Sequence, residues 1–251
     1  MIVSRELARE QIEGERERVR RLISDISHQT KTPLSNVALY TQLLAEQDLT
    51  DEQQKLVGQI SLSADKLTFL IQSLVKTSRL ESGIVTIEPK SGNVYDLVAA
   101  AVRECESLAE AKSITLSVVQ AEAALTALFD FRWCTEAFFN IIENAVKYTP
   151  ENGSVTVAVR SYELFARIDV TDTGRGIREE DLTKVFGRFW RAAESADSPG
   201  AAPQGLRLCR DPGVGVGLYL AREIITACGG YIKVSSDYGK GSTFSVFLSK
   251  V

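Results

Sequence analysis

The sequence predicts a protein of two domains: an all-α helical hairpin that forms a dimeric four-helix bundle, followed by an α/β sandwich whose mixed sheet is covered by helices. Three observations predict this fold class. Apolar residues recur at helical spacing through residues 4–80. A stretch rich in glycine, proline and serine then breaks the pattern. Alternating apolar residues follow, between shorter helices. We therefore place the helical domain at 1–82, a linker at 83–92 and the α/β domain at 93–251.

Composition limits the function classes before any motif is considered. The 251 residues carry a formal net charge of -4, which argues against nucleic acid as a partner. The four cysteines lack the paired spacing of a zinc site, so we interpret them as buried or incidental thiols in a reducing compartment. No run of about 18 apolar residues occurs. We expect the chain as given to be soluble.

The helical domain contains two long helices with a break at residues 47–51, where Thr50 or Asp51 would cap the second helix. Apolar residues of the first helix repeat every seven positions, at Ile12, Val19 and Ile26. A second stripe comprises Leu56, Ile60, Leu67, Leu70, Ile71 and Leu74. One hairpin leaves both stripes uncovered, so pairing with a second copy would complete a four-helix bundle.

The α/β domain alternates helical and strand-like segments. We predict helices at 93–111, at 130–147 with Asp130 as its cap, and at 217–228. Predicted strands are 114–119, 125–129, 154–161, 165–171, 231–235 and 242–248. This mixture indicates one mixed or antiparallel sheet covered by helices.

Four polar clusters in this domain suit the chemistry of a phosphorylated ligand. Asn140, Asn144, Lys147 and Tyr148 share one side of a helix, where amide oxygens suit Mg²⁺ and the lysine suits phosphate. Asp172 ends a strand and can accept a hydrogen bond from the amino group of a base. The remaining clusters are the Gly213-Val214-Gly215-Val216-Gly217-Leu218 run, which lets backbone N–H groups approach phosphate, and the Gly239-Lys240-Gly241-Ser242-Thr243-Phe244 hairpin.

Each cluster alone also has an ordinary structural explanation. A glycine run is more often a turn, and paired asparagines on a helix are usually surface residues. The spacing of Gly213, Gly215 and Gly217 does not match the GxGxxG pattern that follows the first strand of a βαβ unit, so a Rossmann fold is a poor interpretation.

The only histidine, His28, lies in the segment Ser27-His28-Gln29-Thr30-Lys31-Thr32-Pro33-Leu34 of the first helix. A lone histidine is usually a core or surface residue without a role, but this one is also a candidate phosphoryl acceptor. Thr32 follows one turn later on the same face. Pro33 removes a backbone donor, so we expect the turn that carries His28 to be kinked.

These segments, in the order SHQTKTPL, NIIENAVKYTP, DTGRGI, FGRFWR and GVGVGL, resemble the cytoplasmic kinase core of bacterial two-component sensor histidine kinases from end to end. The resemblance implies a Bergerat-type ATP-binding domain. In it, Asp172 reads the adenine amino group, Asn144 with Asn140 holds Mg²⁺, and Lys147 and Tyr148 contact the nucleotide. Further implied nucleotide contacts are Gly174, Gly176, Ile177, Gly213, Gly215, Gly217, Leu218 and Thr243. The segment with Phe186, Arg188 and Arg191 would cover the γ-phosphate, although Phe186, Phe189 and Trp190 are equally explained as core aromatics.

The resemblance implies ATP-dependent phosphorylation of His28 and transfer of the phosphoryl group to an aspartate on a response-regulator receiver domain. Asn140 stands where related ATPases place a glutamate that activates water, which favours transfer over hydrolysis. Thr32 would position water in a phosphatase reaction on the phospho-regulator. A catalytically silent nucleotide-binding scaffold is the third hypothesis.

The sequence departs from the family pattern at two places. Most relatives carry an acidic residue after the histidine, whereas this chain has Gln29, which cannot accept a proton. Residues 192–203 lengthen the lid with small, polar and proline residues, and we expect them to be mobile. The resemblance also implies a homodimer through residues 4–80, in the cytoplasmic portion of a membrane-anchored bacterial receptor.

Overall fold

A computed structural model describes residues 2–120, 125–190 and 215–251 of the chain. These residues form two compact units: residues 2–86, and residues 87–190 together with 215–251. No helix within the described ranges has an apolar run long enough to cross a membrane.

The first unit is a helical hairpin. Helices α1 (Ile2–Ala45) and α2 (Asp51–Glu81) pack against each other. The Thr50 side chain accepts the Gln53 N–H at 3.3 Å and the Gln53 side chain accepts the Thr50 N–H at 2.9 Å, a reciprocal capping box that fixes the start of α2. The predicted hairpin is confirmed. Helix α1 continues through Pro33, and the kink expected near His28 stays a prediction.

The second unit is built on a mixed sheet. Its strands are β1 (Lys90–Asn93), β2 (Thr115–Gln120), β3 (Thr126–Phe129), β4 (Ser154–Ser161), β5 (Phe165–Asp172), β6 (Tyr231–Asp237) and β7 (Gly241–Ser249). Five of them form one sheet in the order β2-β4-β5-β7-β6. The β2–β4 pair is parallel, and the other three pairs are antiparallel. The predicted mixed sheet is confirmed.

Three helices cover one face of this sheet: α3 (Val94–Ala111), α4 (Phe131–Tyr148) and α5 (Gly217–Ala227). The Asn93 side chain caps α3 and the Asp130 side chain caps α4, as predicted for Asp130. Asp130 also accepts the N–H of Glu88 at 3.2 Å through its second carboxyl oxygen. The largest fully buried side chains form the core between helices and sheet: Phe129, Phe138, Phe244, Leu97, Ile141, Ile142, Ile168, Ile224, Ile225 and Leu248.

The C-terminal end of the predicted linker is a strand instead. Residues 90–92 lie in β1, which pairs antiparallel with β3. The Lys90–Asn93 stretch has no β-branched or aromatic residue, so it carries no local strand signal. The segment forms a strand because its backbone is hydrogen-bonded to β3. A Cβ at Gly92 would lie 2.8 Å from the Phe129 ring, so the close approach requires glycine.

Cys105, Cys134 and Cys228 are buried free thiols, which agrees with the prediction of buried thiols; Cys209 lies outside the described residues. The sulfur atoms of Cys134 and Cys228 are 3.5 Å apart between α4 and α5. Burial raises the pKa of the Cys105 thiol to about 12, and the carboxylates of Glu143 and Glu104 add to the rise.

Candidate functional site

Helix α4 presents four polar side chains on one side. Asn140 is buried, while Asn144, Lys147 and Tyr148 are half-buried. The other side of the helix packs into the core through Phe138, Ile141, Ile142 and Ala145. Because the apolar side fixes the rotation of the helix, the four polar side chains stay on a common side.

The Asn140 side chain lies between α4 and the start of α5. Its Nδ2 donates to the Glu136 carbonyl at 2.8 Å. A Cβ added at Gly217 would lie 2.7 Å from the Asn140 Oδ1, so a larger residue at 217 would displace α5 or the amide. The structure therefore brings the end of the glycine run against the asparagine helix.

Asn144 is half-buried, and within the described residues its amide has no hydrogen-bond partner. Burial raises the pKa of the neighbouring Glu143, and the positive charge of Lys147 opposes that rise. Among the described residues no group of three His, Cys, Asp or Glu side chains could hold a metal ion. A hard cation at this place would therefore need amide oxygens together with oxygens of a bound ligand, as Mg²⁺ commonly does with phosphates.

Asp172 ends β5 with its carboxyl group buried. Its Oδ1 accepts the Gly174 N–H at 2.8 Å and the Ser242 N–H at 3.3 Å. Burial raises the pKa of Asp172, and these two donors oppose the rise. Among the described residues Oδ2 has no hydrogen-bond donor, which leaves it as an acceptor for a ligand amino group.

The turn after Asp172 packs closely against the end of α4 on one side and the β6–β7 hairpin on the other. A Cβ at Gly174 would lie 2.6 Å from the Tyr148 carbonyl oxygen. Gly176 has a φ of +70°, and a Cβ there would collide with the Asp237 carbonyl. The Ile177 N–H donates to the Ser236 Oγ at 2.8 Å. This turn therefore requires glycine at two positions.

Positive charge surrounds the Tyr148 ring at the end of α4. The Arg175 guanidinium lies 4.5 Å from the ring centroid, and the Lys147 ammonium lies 5.0 Å from it. An anionic ligand at this end of the helix would meet two cations.

The segment before residue 191 lies against the start of α5. The Phe189 N–H donates to the Gly215 carbonyl at 2.9 Å. Phe186 is buried and meets Phe244 edge-on at 6.2 Å, so it is a core aromatic. The Arg188 guanidinium donates to the Tyr219 hydroxyl at 3.3 Å and lies 4.8 Å from its ring centroid.

The structure places Ser242 of the last hairpin, and not the predicted Thr243, next to Asp172. Thr243 is hydrogen-bonded to Thr171 at 3.0 Å, on the opposite face of the sheet from Asp172. Ser242, one residue earlier, donates to Asp172 through its N–H and is buried. Ser236 and Tyr219 were also missed, because their contacts with Ile177 and Arg188 join segments far apart in sequence.

The remaining expected residues lie on α1 or outside the described ranges. His28 lies within α1, but its side chain is outside the described residues, while Gln29 and Thr32 are exposed. Arg191 and Gly213, and the lengthened lid at 192–203, also lie outside the described residues. Leu218 is half-buried in the first turn of α5.

Curated relatives match along almost the whole chain. Sensor histidine kinase GacS of Pseudomonas protegens is 30% identical over 233 residues, which are 90% of this chain and 24% of the relative. Autoinducer 2 sensor kinase/phosphatase LuxQ of Vibrio cholerae is 32% identical over 232 residues, 90% of this chain and 26% of the relative. The chain thus spans about a quarter of the length of these relatives.

Solved structures share the fold. ShkA full-length in complex with AMPPNP gives a TM-score of 0.70 at 23% identity, over 92% of this chain and 46% of that one. Acinetobacter baumannii histidine kinase AdeS gives a TM-score of 0.60 at 17% identity, over 90% of this chain and 98% of that one.

Two family models match, one for each unit. The His Kinase A (phospho-acceptor) domain matches residues 18–83, and the Histidine kinase-, DNA gyrase B-, and HSP90-like ATPase domain matches residues 129–251. The chain therefore belongs to the sensor histidine kinases, with a phospho-acceptor domain followed by an ATPase-like domain.

Proposed function

We propose that the second unit binds Mg²⁺-ATP and that the γ-phosphoryl group is transferred to His28. One observation carries this proposal: groups suited to a nucleotide converge around the C-terminal half of α4. The Asn144 amide and the Asp172 Oδ2 both lack partners among the described residues, and the Lys147 charge lies on the same side of the helix as Asn144. His28 lies within the span of the matching phospho-acceptor domain, residues 18–83.

The adenine amino group would donate to Asp172 Oδ2, and Tyr148 and Lys147 would contact the nucleotide. The phosphates would lie near Gly215 and Gly217, because free N–H groups at the start of α5 suit anions. The AMPPNP named with ShkA supports an adenine nucleotide as the ligand. Further proposed contacts are Gly174, Gly176, Ile177, Leu218, Gly213, Arg188 and Arg191.

Asn144 and Asn140 are the residues that would hold Mg²⁺. Their amide oxygens are hard ligands, and phosphate oxygens would complete the coordination. When bound, the ion neutralises charge on the phosphates during transfer.

In the transfer, a nitrogen of the His28 imidazole forms a bond to the γ-phosphorus while the bond to the β–γ bridging oxygen breaks, giving phosphohistidine and ADP. The proton on the other ring nitrogen passes to water, because the adjacent Gln29 cannot accept it. Transfer to a receiver-domain aspartate then frees the imidazole.

Incubation with γ-labelled ATP and Mg²⁺, followed by an acid-lability test, examines the reaction. We expect acid-labile label on the wild type and none on His28→Gln, with equal nucleotide affinity in the two proteins. Label that persists in the variant contradicts the assignment of the acceptor. A wild type that binds nucleotide but takes no label would indicate the silent scaffold.

A phosphatase activity on the phospho-regulator is a second candidate function. The exposed Thr32 lies one helical turn after His28 on α1, where its hydroxyl can align water. A relative named as a kinase/phosphatase supports it. Thr32→Ala should slow dephosphorylation by about 100-fold and leave His28 labelling intact. Parallel loss of both activities would show that Thr32 only supports the helix.

Two copies would pair through residues 4–80. Leu22 and five side chains of the predicted stripes are each at least 42% exposed in the single chain; the five are Ile26, Leu56, Ile60, Leu67 and Leu74. Covering them against a second hairpin removes this apolar surface from water. Residues 1–82 would thus serve dimerisation and phosphotransfer, residues 83–92 would join them to the catalytic part, and residues 93–251 would bind ATP.

The names and lengths of the relatives support a proposal on the cellular setting. They are named sensor proteins and are about four times longer than this chain. We propose that this chain is the cytoplasmic portion of a membrane-anchored bacterial receptor whose partner is a response-regulator receiver domain.

A further inference from the structure

The C-terminal end of α4 has a hydrogen-bond donor for each of its last four carbonyl groups. A helix leaves these carbonyls without partners inside itself. The Ala145 carbonyl accepts the Thr149 N–H at 3.1 Å and the Thr149 hydroxyl at 2.7 Å. The Tyr148 carbonyl accepts the Arg175 N–H at 3.4 Å. The two carbonyls between them are satisfied by a side chain from another helix.

That side chain is Lys112. Its ammonium nitrogen lies 2.9 Å from the carbonyl oxygens of Val146 and Lys147 and 2.6 Å from that of Thr149. An ammonium group has three N–H donors, and three carbonyls accept them here. A positive charge at this place also suits the negative end of the helix dipole.

The backbone holds Lys112 in this position. Lys112 is the C-cap of α3, directly after its last residue, and the chain turns at Ser113, whose φ of 54° is in the left-handed region. The Ile114 N–H closes the turn on the Ala109 carbonyl at 2.9 Å. The Lys112 carbonyl accepts the Asn152 N–H at 3.4 Å, which ties the turn to the chain after α4. The half-buried ammonium is therefore delivered by a constrained turn.

We propose that Lys112 is a positioning residue of the nucleotide site. It binds the backbone of the segment that carries Lys147 and Tyr148, and this segment also supports Gly174, whose missing Cβ leaves room for the Tyr148 carbonyl. Lys112 acts through that backbone and does not touch the nucleotide. The inference rests on the proposed function, since it deepens the description of the same ATP site.

Lys112→Met removes all three donors and keeps most of the aliphatic stem. Binding of a fluorescent ATP analogue should weaken by about tenfold, equivalent to about 1.4 kcal/mol. The KM for ATP in His28 labelling should rise by a similar factor, while the rate at saturating ATP stays within about twofold. Lys112→Arg keeps donors and charge and should restore most of the affinity. Lys90→Met is the matched control, because the Lys90 side chain is 80% exposed and paired with Glu88.

Titration separates positioning from loss of folded protein. A merely structural role lowers the fraction of protein that binds and leaves the dissociation constant unchanged, whereas positioning raises the dissociation constant of the folded protein. If Lys112→Met does not fold, Lys112→Gln, with two donors, should show an intermediate dissociation constant. An unchanged dissociation constant in the folded variants overturns the inference. A wild type that binds no ATP analogue overturns the proposed function itself.

Discussion

Two carboxylates three residues apart on β5 offer a matched test at the scale of single residues. Asp169 is paired with Arg167 at 2.7 Å and with the Ser245 hydroxyl at 2.6 Å, on the face of the sheet opposite Asp172. Asp172 instead keeps Oδ2 without a partner among the described residues. Asp172→Asn places an amide where an acceptor is needed, so nucleotide affinity should fall about tenfold or more.

Asp169→Asn is the control for this prediction. It alters a buried carboxylate on the same strand and should lower stability, while the dissociation constant for the ATP analogue stays within about twofold. Equal effects of the two substitutions on nucleotide affinity would mean that Asp172 acts only through the fold.

The raised pKa of Cys105 predicts how folding stability and alkylation of this thiol depend on pH. Its folded pKa of about 12 lies above that of an exposed thiol, about 8.5. The folded state therefore holds the proton longer than the unfolded state, and the stability that Cys105 contributes falls as pH rises above about 8.5. At pH 9, iodoacetamide should leave Cys105 unmodified in the folded protein and alkylate it in urea, as peptide mass spectrometry can show. Rapid native alkylation would contradict the raised pKa.

At the scale of elements, the contact between α5 and α4 depends on the absence of a side chain. Gly217→Ala places a methyl group 2.7 Å from the Asn140 Oδ1, so α5 must shift at its first turn. We expect nucleotide affinity to fall about tenfold, measured with the same ATP analogue.

A glycine in another helix provides the comparison for this substitution. Gly58 is exposed inside α2, and a Cβ there meets no atom within 4 Å. Gly58→Ala should raise stability by about 0.8–1 kcal/mol in urea unfolding and leave nucleotide affinity unchanged. If Gly217→Ala binds the ATP analogue as tightly as the wild type, the contact between α4 and α5 tolerates a methyl group.

Sequence patterns were sufficient for most elements because each long element carries its own period. The seven-residue stripes of α1 and α2 and the alternation of β4 and β5 are local signals. The sequence of β1 carries no such signal. This segment is a strand because its backbone pairs with β3. The choice of Thr243 over Ser242 has the same origin: neighbouring residues of a strand face opposite sides of the sheet, and spacing alone does not say which side faces the site. The contacts of Lys112, Ser236 and Tyr219 join distant segments and cannot be inferred from spacing.

At the scale of the whole molecule, dimerisation is open to a direct test. Ile60 is 48% exposed on the proposed seam. Ile60→Glu would place a charge in the apolar interface, so sedimentation should report a monomer where the wild type is a dimer. Gln59→Glu adds the same charge at the neighbouring exposed position and should remain dimeric. A dimeric Ile60→Glu protein would show that the seam lies elsewhere on the hairpin.

The position of β7 has a consequence for biosynthesis. This strand is the last element of its unit in sequence, yet it lies inside the sheet between β5 and β6, and its Ser242 supplies one of the two donors to Asp172. When only the chain up to β6 has left the ribosome, β6 has no neighbouring strand to pair with. The five strands therefore cannot yet form one sheet. The proposed ATP site can therefore form only after translation of the unit is complete, and a premature stop codon before residue 241 yields a polypeptide without it.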